Sequence, residues 1–189
     1  MTKLQPTVFF DRDGTLNLEK GYITDPTDIE LYPDSGTVLR NLKQLGFLIV
    51  VITNQSAIGR GLMSEAQFEK VNAALREQLQ QSGVGYDALY YCPHRPEEDC
   101  PCRKPKPGLI FQAARDLGID LSRSYMIGDK LSDIEAGKNA GCKTILVLTG
   151  KGKQNQKAIE DKNSTPDTIQ KDLTTALAWI REQESAQST

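Results

Sequence analysis

Val8-Phe9-Phe10-Asp11-Arg12-Asp13-Gly14-Thr15-Leu16-Asn17 is the stretch on which the reading of this chain turns. A short apolar, β-prone run stops at two acids one residue apart, then a glycine and a threonine. Residues i and i+2 of an extended segment point the same way, so Asp11 and Asp13 can present both carboxylates to one space at a strand's end. In an open parallel α/β sheet that edge is where ligands bind. Two carboxylates this close repel unless a cation or a shared proton relieves them. Mg²⁺, a hard cation that prefers oxygen ligands and phosphate partners, is the natural candidate. Taken alone, the stretch is also ordinary turn chemistry, because Asp-Gly is a turn signal. The rest of the chain has to decide.

Downstream, apolar periodicity alternates between strand and helix. Pro33-Asp34 opens a helix whose inner face is Val38, Leu39, Leu42 and Leu45, and Gly46 ends it. Residues 47–52 are a continuous β-branched run that stops in Thr53-Asn54-Gln55-Ser56, as a strand buried on both faces does. A glycine-containing loop over 58–63 leads to Ser64-Glu65-Ala66-Gln67, a capping box that starts a helix reaching about Gln81. Further strands are expected at 88–91, 125–127 and 144–148, with helices at 109–117, 134–140 and 173–181. Residues 149–167 are polar and read as a mobile loop, and the last few residues as a frayed end. Alternating strands and helices imply a three-layer, Rossmann-like parallel sheet with helices on both faces. There is no internal repeat and no linker, so a single domain over 1–189 is expected.

Composition narrows the class. The 189 residues, 38% hydrophobic and 25% charged, suit a soluble globular domain with a real core. A net charge of −2 gives no support to a broad nucleic-acid surface. No apolar run approaches the roughly 20 residues that span a bilayer, and no secretory core precedes the first strand. A cytoplasmic location is expected. Of the four cysteines, Cys92, Cys100 and Cys102 cluster and Cys142 stands apart, the latter as a small buried hydrophobe. In a reducing compartment such a cluster holds metal more often than disulfides.

Three strand ends carry residues suited to one reaction, because parallel strands end on the same edge. Asp11 and Asp13 follow the first strand, Thr53 and Asn54 end the second, and Asp129, Lys130 and Asp133 follow the strand at 125–127. Arg103-Lys104 lies between the last two sets. Phosphoryl transfer needs mainly positioning and charge neutralisation. Asp11 is the candidate nucleophile, giving an aspartyl-phosphate, and Asp13 the candidate general acid and base. Thr53 and the N–H groups after it would bind phosphoryl oxygens, and Lys104 would offset developing charge. Asp11, Asp13 through its backbone carbonyl, and Asp129 would hold Mg²⁺.

These residues, Asp11-Arg12-Asp13-Gly14-Thr15, Thr53-Asn54, Lys104 and Gly128-Asp129 with Asp133, resemble the four motifs of the haloacid dehalogenase superfamily in order, over residues 8–148. The resemblance implies the same roles. It also implies a cap inserted after the first or second motif in many members. Here the gaps between Asp11 and Thr53, and between Thr53 and Lys104, have no room for one, so an open, capless site is expected.

Cys92-Pro93-His94 and Cys100-Pro101-Cys102 place three thiols and the chain's one histidine in a single loop. Three thiolates and an imidazole suit a closed, structural tetrahedral Zn²⁺ site. Arg103-Lys104 follow its last ligand directly, so a metal clamp would fix where those cations point. A capless phosphatase with this loop followed by Arg-Lys-Pro-x-Pro-Gly looks like the D-glycero-D-manno-heptose-1,7-bisphosphate 7-phosphatase family, with histidinol-phosphate phosphatases as near relatives. That resemblance implies Mg²⁺-dependent removal of the 7-phosphate during ADP- or GDP-heptose synthesis for lipopolysaccharide or S-layer precursors. It implies substrate contacts at Glu19, Lys20, Gly21, Tyr22, Thr53, Asn54, Gln55, Ser56, Arg103, Lys104 and Lys130. The chain departs from the pattern in a shorter spacer between His94 and Cys100 and in Thr24-Asp25-Pro26 after Gly21-Tyr22-Ile23. Arg103, Lys130 and Lys20 are cations beyond Lys104 that a second phosphate could use.

The competing readings are histidinol-phosphate phosphatase, a non-enzymatic phospho-receiver, and a 3′-phosphatase of nucleic-acid ends. A receiver places its acid pair before a mid-chain phospho-acceptor and has no zinc loop, and a nucleic-acid enzyme needs a basic groove. The expected partner is a small phosphorylated sugar, with neither nucleic acid nor membrane, and an open site is compatible with a monomer.

Overall fold

A computed structural model describes residues 4–159 and 165–187. Six parallel strands form one sheet in the order β3-β2-β1-β4-β5-β6. They are β1 (Thr7–Phe10), β2 (Leu48–Asn54), β3 (Ala88–Cys92), β4 (Tyr125–Gly128), β5 (Lys143–Val147) and β6 (Thr168–Gln170). β1 pairs with β2 on one side and β4 on the other, so the sheet order reverses at β1. In open α/β sheets the crevice at such a reversal is the ligand site. Asp11 leaves β1 there, with its N–H donating to the Ile127 carbonyl at 2.9 Å.

The pleat sorts each buried strand between two cores. Val8, Phe10, Ile49, Val51 and Ile127 pack with α1 (Ser35–Gln44), α3 (Glu65–Gln81) and α7 (Leu173–Gln187). Phe9, Val50, Ile52 and Met126 face the other way, onto α4 (Gly108–Leu117) and α5 (Leu131–Asn139). Residues of both parities are wholly buried, so the central runs Val8–Phe10 and Ile49–Ile52 are apolar on both faces. The capping box at Ser64 is present, with its hydroxyl accepting from Gln67 N and the Gln67 side chain accepting from Ser64 N. Between β1 and β2 the chain makes one 3-10 turn and α1, and between β2 and β3 only α2 (Ser56–Gly59) and α3. Neither connection holds a cap.

Several boundaries differ from the periodicity, each for a local reason. β2 runs on to Asn54 because Asn54 pairs with Cys92 of β3. Helix α5 begins at Leu131 rather than Ile134, because Asp133 accepts a hydrogen bond from Lys130 N at 3.0 Å and caps the first turn. Helix α7 runs past Arg181 to Gln187, and the expected fraying beyond it lies outside the described residues. The stretch expected to be a mobile loop holds α6 (Gly152–Lys157) and leads into β6. It is tied down by Asn155, which accepts from Leu131 N at 3.1 Å, and by Thr149, which donates to the Gly14 carbonyl at 2.7 Å. Residues 160–164 of that stretch lie outside the described residues. No described helix is long and apolar enough to cross a membrane.

Candidate active site

Strand ends and helix starts bring five charges into the crevice. Lys104 Nζ lies 2.8 Å from Asp11 Oδ1 and 2.6 Å from Asp133 Oδ1, and donates to the Ile52 carbonyl at 2.7 Å. All three side chains are almost wholly buried. Two hydrogen bonds, to Asp11 and the Ile52 carbonyl, and the ion pair with Asp133 surround the ammonium with oxygens, which is what makes a buried lysine tolerable. Burial works against the Asp11 carboxylate, but Lys104 and Lys130 outweigh it and hold its pKa at about 2. Burial likewise works against charged Lys104, yet Asp11 and Asp133 keep it firmly protonated, with its pKa raised.

Asp129 is wholly buried and less well partnered. Its Oδ2 accepts from Lys151 N at 2.7 Å, while its Oδ1 has no hydrogen-bond partner. Burial, reinforced by Asp11 and Asp133, pushes its pKa up to about 7. Gly14 and Gly150 hold it on two sides. Both have positive φ, and a Cβ on either would stand 2.2 or 2.3 Å from Asp129 Oδ2. No L side chain fits there.

One oxygen each of Asp11, Asp129 and Asp133 lie within 4.8 Å of one another. Lys130 Nζ is 3.3 Å from Asp11 Oδ2, 3.3 Å from the Asp13 carbonyl and 3.6 Å from Asp129 Oδ1. Three buried carboxylates against two ammoniums leave the crevice negative, with an orphaned carboxylate oxygen and a convergent set of hard oxygen donors. That donor set fits a small divalent cation. The Asp13 carboxylate is not part of it. It turns away to Arg12, Asn17 and Gln55, and only its backbone oxygen faces Lys130. Asp133 is the third acid of the cluster. In the sequence it stands three residues past Lys130, where it doubles as a helix cap.

The expected zinc ligands also converge. Cys92 Sγ is 3.4 Å from Cys100 Sγ and 3.6 Å from His94 Nδ1, and Cys102 Sγ is 3.3 Å from each of the other three atoms. Four atoms at these separations form the corners of a small tetrahedron, as a four-coordinate Zn²⁺ requires. The loop is locked to the sheet at both ends. Cys92 ends β3 beside Asn54, and the Asn54 side chain exchanges two 3.1 Å hydrogen bonds with the Lys104 backbone. Arg103 Nη1 donates to the His94 carbonyl at 3.2 Å. The loop thereby sets the direction of Arg103 and Lys104.

A cavity of about 450 Å³ opens from these groups to solvent, lined by Asp13, Glu19, Gly21, Tyr22, Asn54, Gln55, Ser56, Arg103, Lys104 and Lys130. Thr53 lies deeper, with Asp11, Asp13 and Lys104 around a smaller hollow. Glu19 reaches Lys130 at 3.3 Å and Lys151 at 3.9 Å, placing an acid between two lysines. Lys20 is the exception among the expected contacts. Its ammonium pairs with Glu30 at 3.1 Å, and it does not line the cavity. Lys151 and Ser132 line it instead. Lys151 sits in the stretch read as a plain polar loop, and nothing local marks it.

Residues 101–176 match the HAD-hydrolase-like family model. Over 155 residues, 78% of this chain and 84% of the relative, the chain is 44% identical to the D-glycero-beta-D-manno-heptose-1,7-bisphosphate 7-phosphatase of Pasteurella multocida (strain Pm70). It is 43% identical over 160 residues, 80% of this chain and 83% of the relative, to the enzyme of that name from Escherichia coli (strain K12). Among solved structures it resembles the D,D-heptose 1,7-bisphosphate phosphatase of B. bronchiseptica, complexed with magnesium and phosphate. The TM-score is 0.87 at 31% identity, covering 94% of this chain and 99% of that one.

Proposed function

We propose, from the premise that this chain belongs to the heptose-1,7-bisphosphate 7-phosphatase family of HAD-like hydrolases, that its substrate is D-glycero-D-manno-heptose 1,7-bisphosphate and its product the 1-phosphate. The chain is a phosphoric monoester hydrolase. The finer reading is supported best by one observation: the cysteine–histidine loop delivers Lys104 to within 2.8 Å of Asp11 and leaves Arg103 on the wall of the same cavity. One cation then serves the phosphate that reacts, and another is left for a phosphate that does not.

In this reading Asp11 attacks phosphorus and becomes the aspartyl-phosphate while the sugar oxygen leaves. Asp13 gives that oxygen its proton, then takes one from the water that hydrolyses the intermediate. The Thr53 hydroxyl and the following N–H groups bind phosphoryl oxygens, and Lys104 offsets their charge. Asp133 holds Lys104 against Asp11. Asp11, the Asp13 carbonyl and Asp129 would hold Mg²⁺, which would supply the charge neutralisation that lets a carboxylate approach a phosphate dianion. Arg103 and Lys130, with Lys151, face the second phosphate, and Glu19 keeps the lysines paired until it arrives. The same reading makes the protein a cytoplasmic monomer supplying a nucleotide-heptose route to lipopolysaccharide or S-layer precursors.

The test is a substrate panel with Mg²⁺: heptose 1,7-bisphosphate, fructose 1,6-bisphosphate and histidinol phosphate, following free phosphate. The heptose ester should give the highest kcat/KM, and preference for histidinol phosphate would overturn the assignment.

The zinc reading has its own test. Cys100→Ser should lower bound zinc to less than half that of the parent protein and depress Tm by roughly 5–10 °C. Unchanged zinc stoichiometry in the purified variant would show that the ligand set is wrong.

A further inference from the structure

Arg12 is among the largest side chains in the protein with no exposure at all. Its Nε donates to Asp13 Oδ1 at 3.0 Å and its Nη2 to Asp13 Oδ2 at 2.9 Å. Its Nη1 donates to Asn72 Oδ1 at 3.2 Å, and its guanidinium carbon lies 5.7 Å from the centre of the Phe68 ring. Phe68 and Asn72 are four residues apart on α3, so they share a face and present a ring and an acceptor to one guanidinium. Burying this group is costly, and a loop tether alone would be served as well by an apolar side chain.

Asp13 is held from two further directions. Asn17 Nδ2 donates to Oδ1 and Gln55 Nε2 to Oδ2, each at 3.0 Å. A carboxylate has about four lone-pair sites, and four N–H donors fill them here. Every lone-pair site of Asp13 is therefore taken by a donor of the protein, and Gln55 is the one of those donors that stands at the cavity. Gln55 lines the cavity, whereas Arg12 lies wholly within the protein. Gln55 also donates to Thr53 Oγ1 at 2.8 Å, so it touches both Asp13 and the group meant for the phosphoryl oxygens.

We infer that Arg12 is a positioning residue for proton transfer by Asp13: Asn72 and Phe68 hold the guanidinium, its fork holds the carboxylate plane, and Gln55 yields Oδ2 when substrate arrives. The proton moves between Oδ2 and the leaving oxygen, or the attacking water, with the Arg12 fork still in place. The inference rests on the reading of Asp13 as the proton carrier.

Leaving-group dependence tests it. An alkyl oxygen needs a proton to depart, and p-nitrophenol leaves without one. The Mg²⁺-loaded enzyme is assayed for kcat/KM, which reports steps through the first departure, on the sugar phosphate it turns over best and on p-nitrophenyl phosphate. In Asn72→Leu, which leaves Arg12 without its outer acceptor, the sugar phosphate value should fall about tenfold while the aryl value changes less than about threefold. Arg12→Lys, which keeps the charge and loses the fork, should show the same bias. Asn72→Asp keeps an acceptor and should retain the parent ratio. Equal losses on both substrates would make Arg12 a structural tether and overturn the inference. Asp13→Asn separates the premise: if it shows no leaving-group bias, Asp13 is not the proton carrier and both readings fall. A bias in Asp13→Asn with none in Asn72→Leu overturns the role of Arg12 alone.

Discussion

Asp11→Asn should abolish turnover, lowering kcat on the order of 10⁴-fold or more, because an amide cannot form the acyl-phosphate that divides the reaction into two steps. The fold should survive. An asparagine of the same shape can still accept from Lys104, and it removes one charge from a crevice that holds more buried carboxylates than ammoniums. The measurement has two parts. Steady-state phosphate release should vanish while the unfolding transition stays within a few degrees of the parent. Brief mixing with phosphorus-labelled substrate, quenched in acid, should label the parent at the peptide holding Asp11 and leave the variant unlabelled. Turnover near the parent rate, or label on another peptide, would remove Asp11 from its role.

Lys104→Met should destabilise the protein by about 3–5 kcal/mol near neutral pH, since taking one partner from a buried ionic group leaves the other uncompensated. Two carboxylates are stranded here, Asp11 and Asp133. The pH dependence has a defined sign. In the parent, Asp11 at about 2 lies below its unfolded value of roughly 3.9, so its contribution is present above about pH 4 and is lost as pH falls through 2. Asp133 is shifted upward, by its burial first, and opposes ionisation in the folded state, although Lys104 pulls it back. Without Lys104 both acids resist charging. The variant therefore loses stability as pH rises through and beyond the carboxylate range. Urea unfolding in magnesium-free buffer should show a small deficit near pH 4 and the full deficit near pH 8. Equal deficits at both would mean that packing, not charge, ties Lys104 to the core.

Why so much of this site can be read from the chain, and where reading stops, follows from how each residue is held. Asp11, Thr53 and Asp129 sit at ends of strands whose apolar runs are unmistakable, and parallel pairing brings strand ends together. The cysteine–histidine cluster is legible because its four residues lie within eleven residues, so they meet whatever the rest of the chain does. Lys20 shares a local motif with Glu19 and Gly21 yet stands off the cavity wall, because Glu30, its ion-pair partner, comes from a different turn of the loop. Asp13 starts on the same face as Asp11, as i and i+2 do, but four donors from three residues hold its carboxylate toward Arg12, Asn17 and Gln55. Lys151 was hidden because its place depends on α6 docking against α5 through Asn155.

The amino-acid sequence by itself determined the alternation of strands and helices, the acidic strand ends, the absence of a cap and the cysteine–histidine loop. All of these rest on short-range periodicity and spacing. Only the tertiary structure decided which oxygen of each acid faces which cation. It joined Lys104 to Asp133, made Lys151 part of the cavity wall, and packed Arg12 beside Asp13 against Asn72, which lies sixty residues beyond Arg12. Buried charges are arranged by desolvation, which forces each to find a partner wherever the packed core offers one, and that partner leaves no local mark in the chain. The opening stretch supplied two carboxylates in need of a cation, and the packed helix behind it determined that they face in different directions.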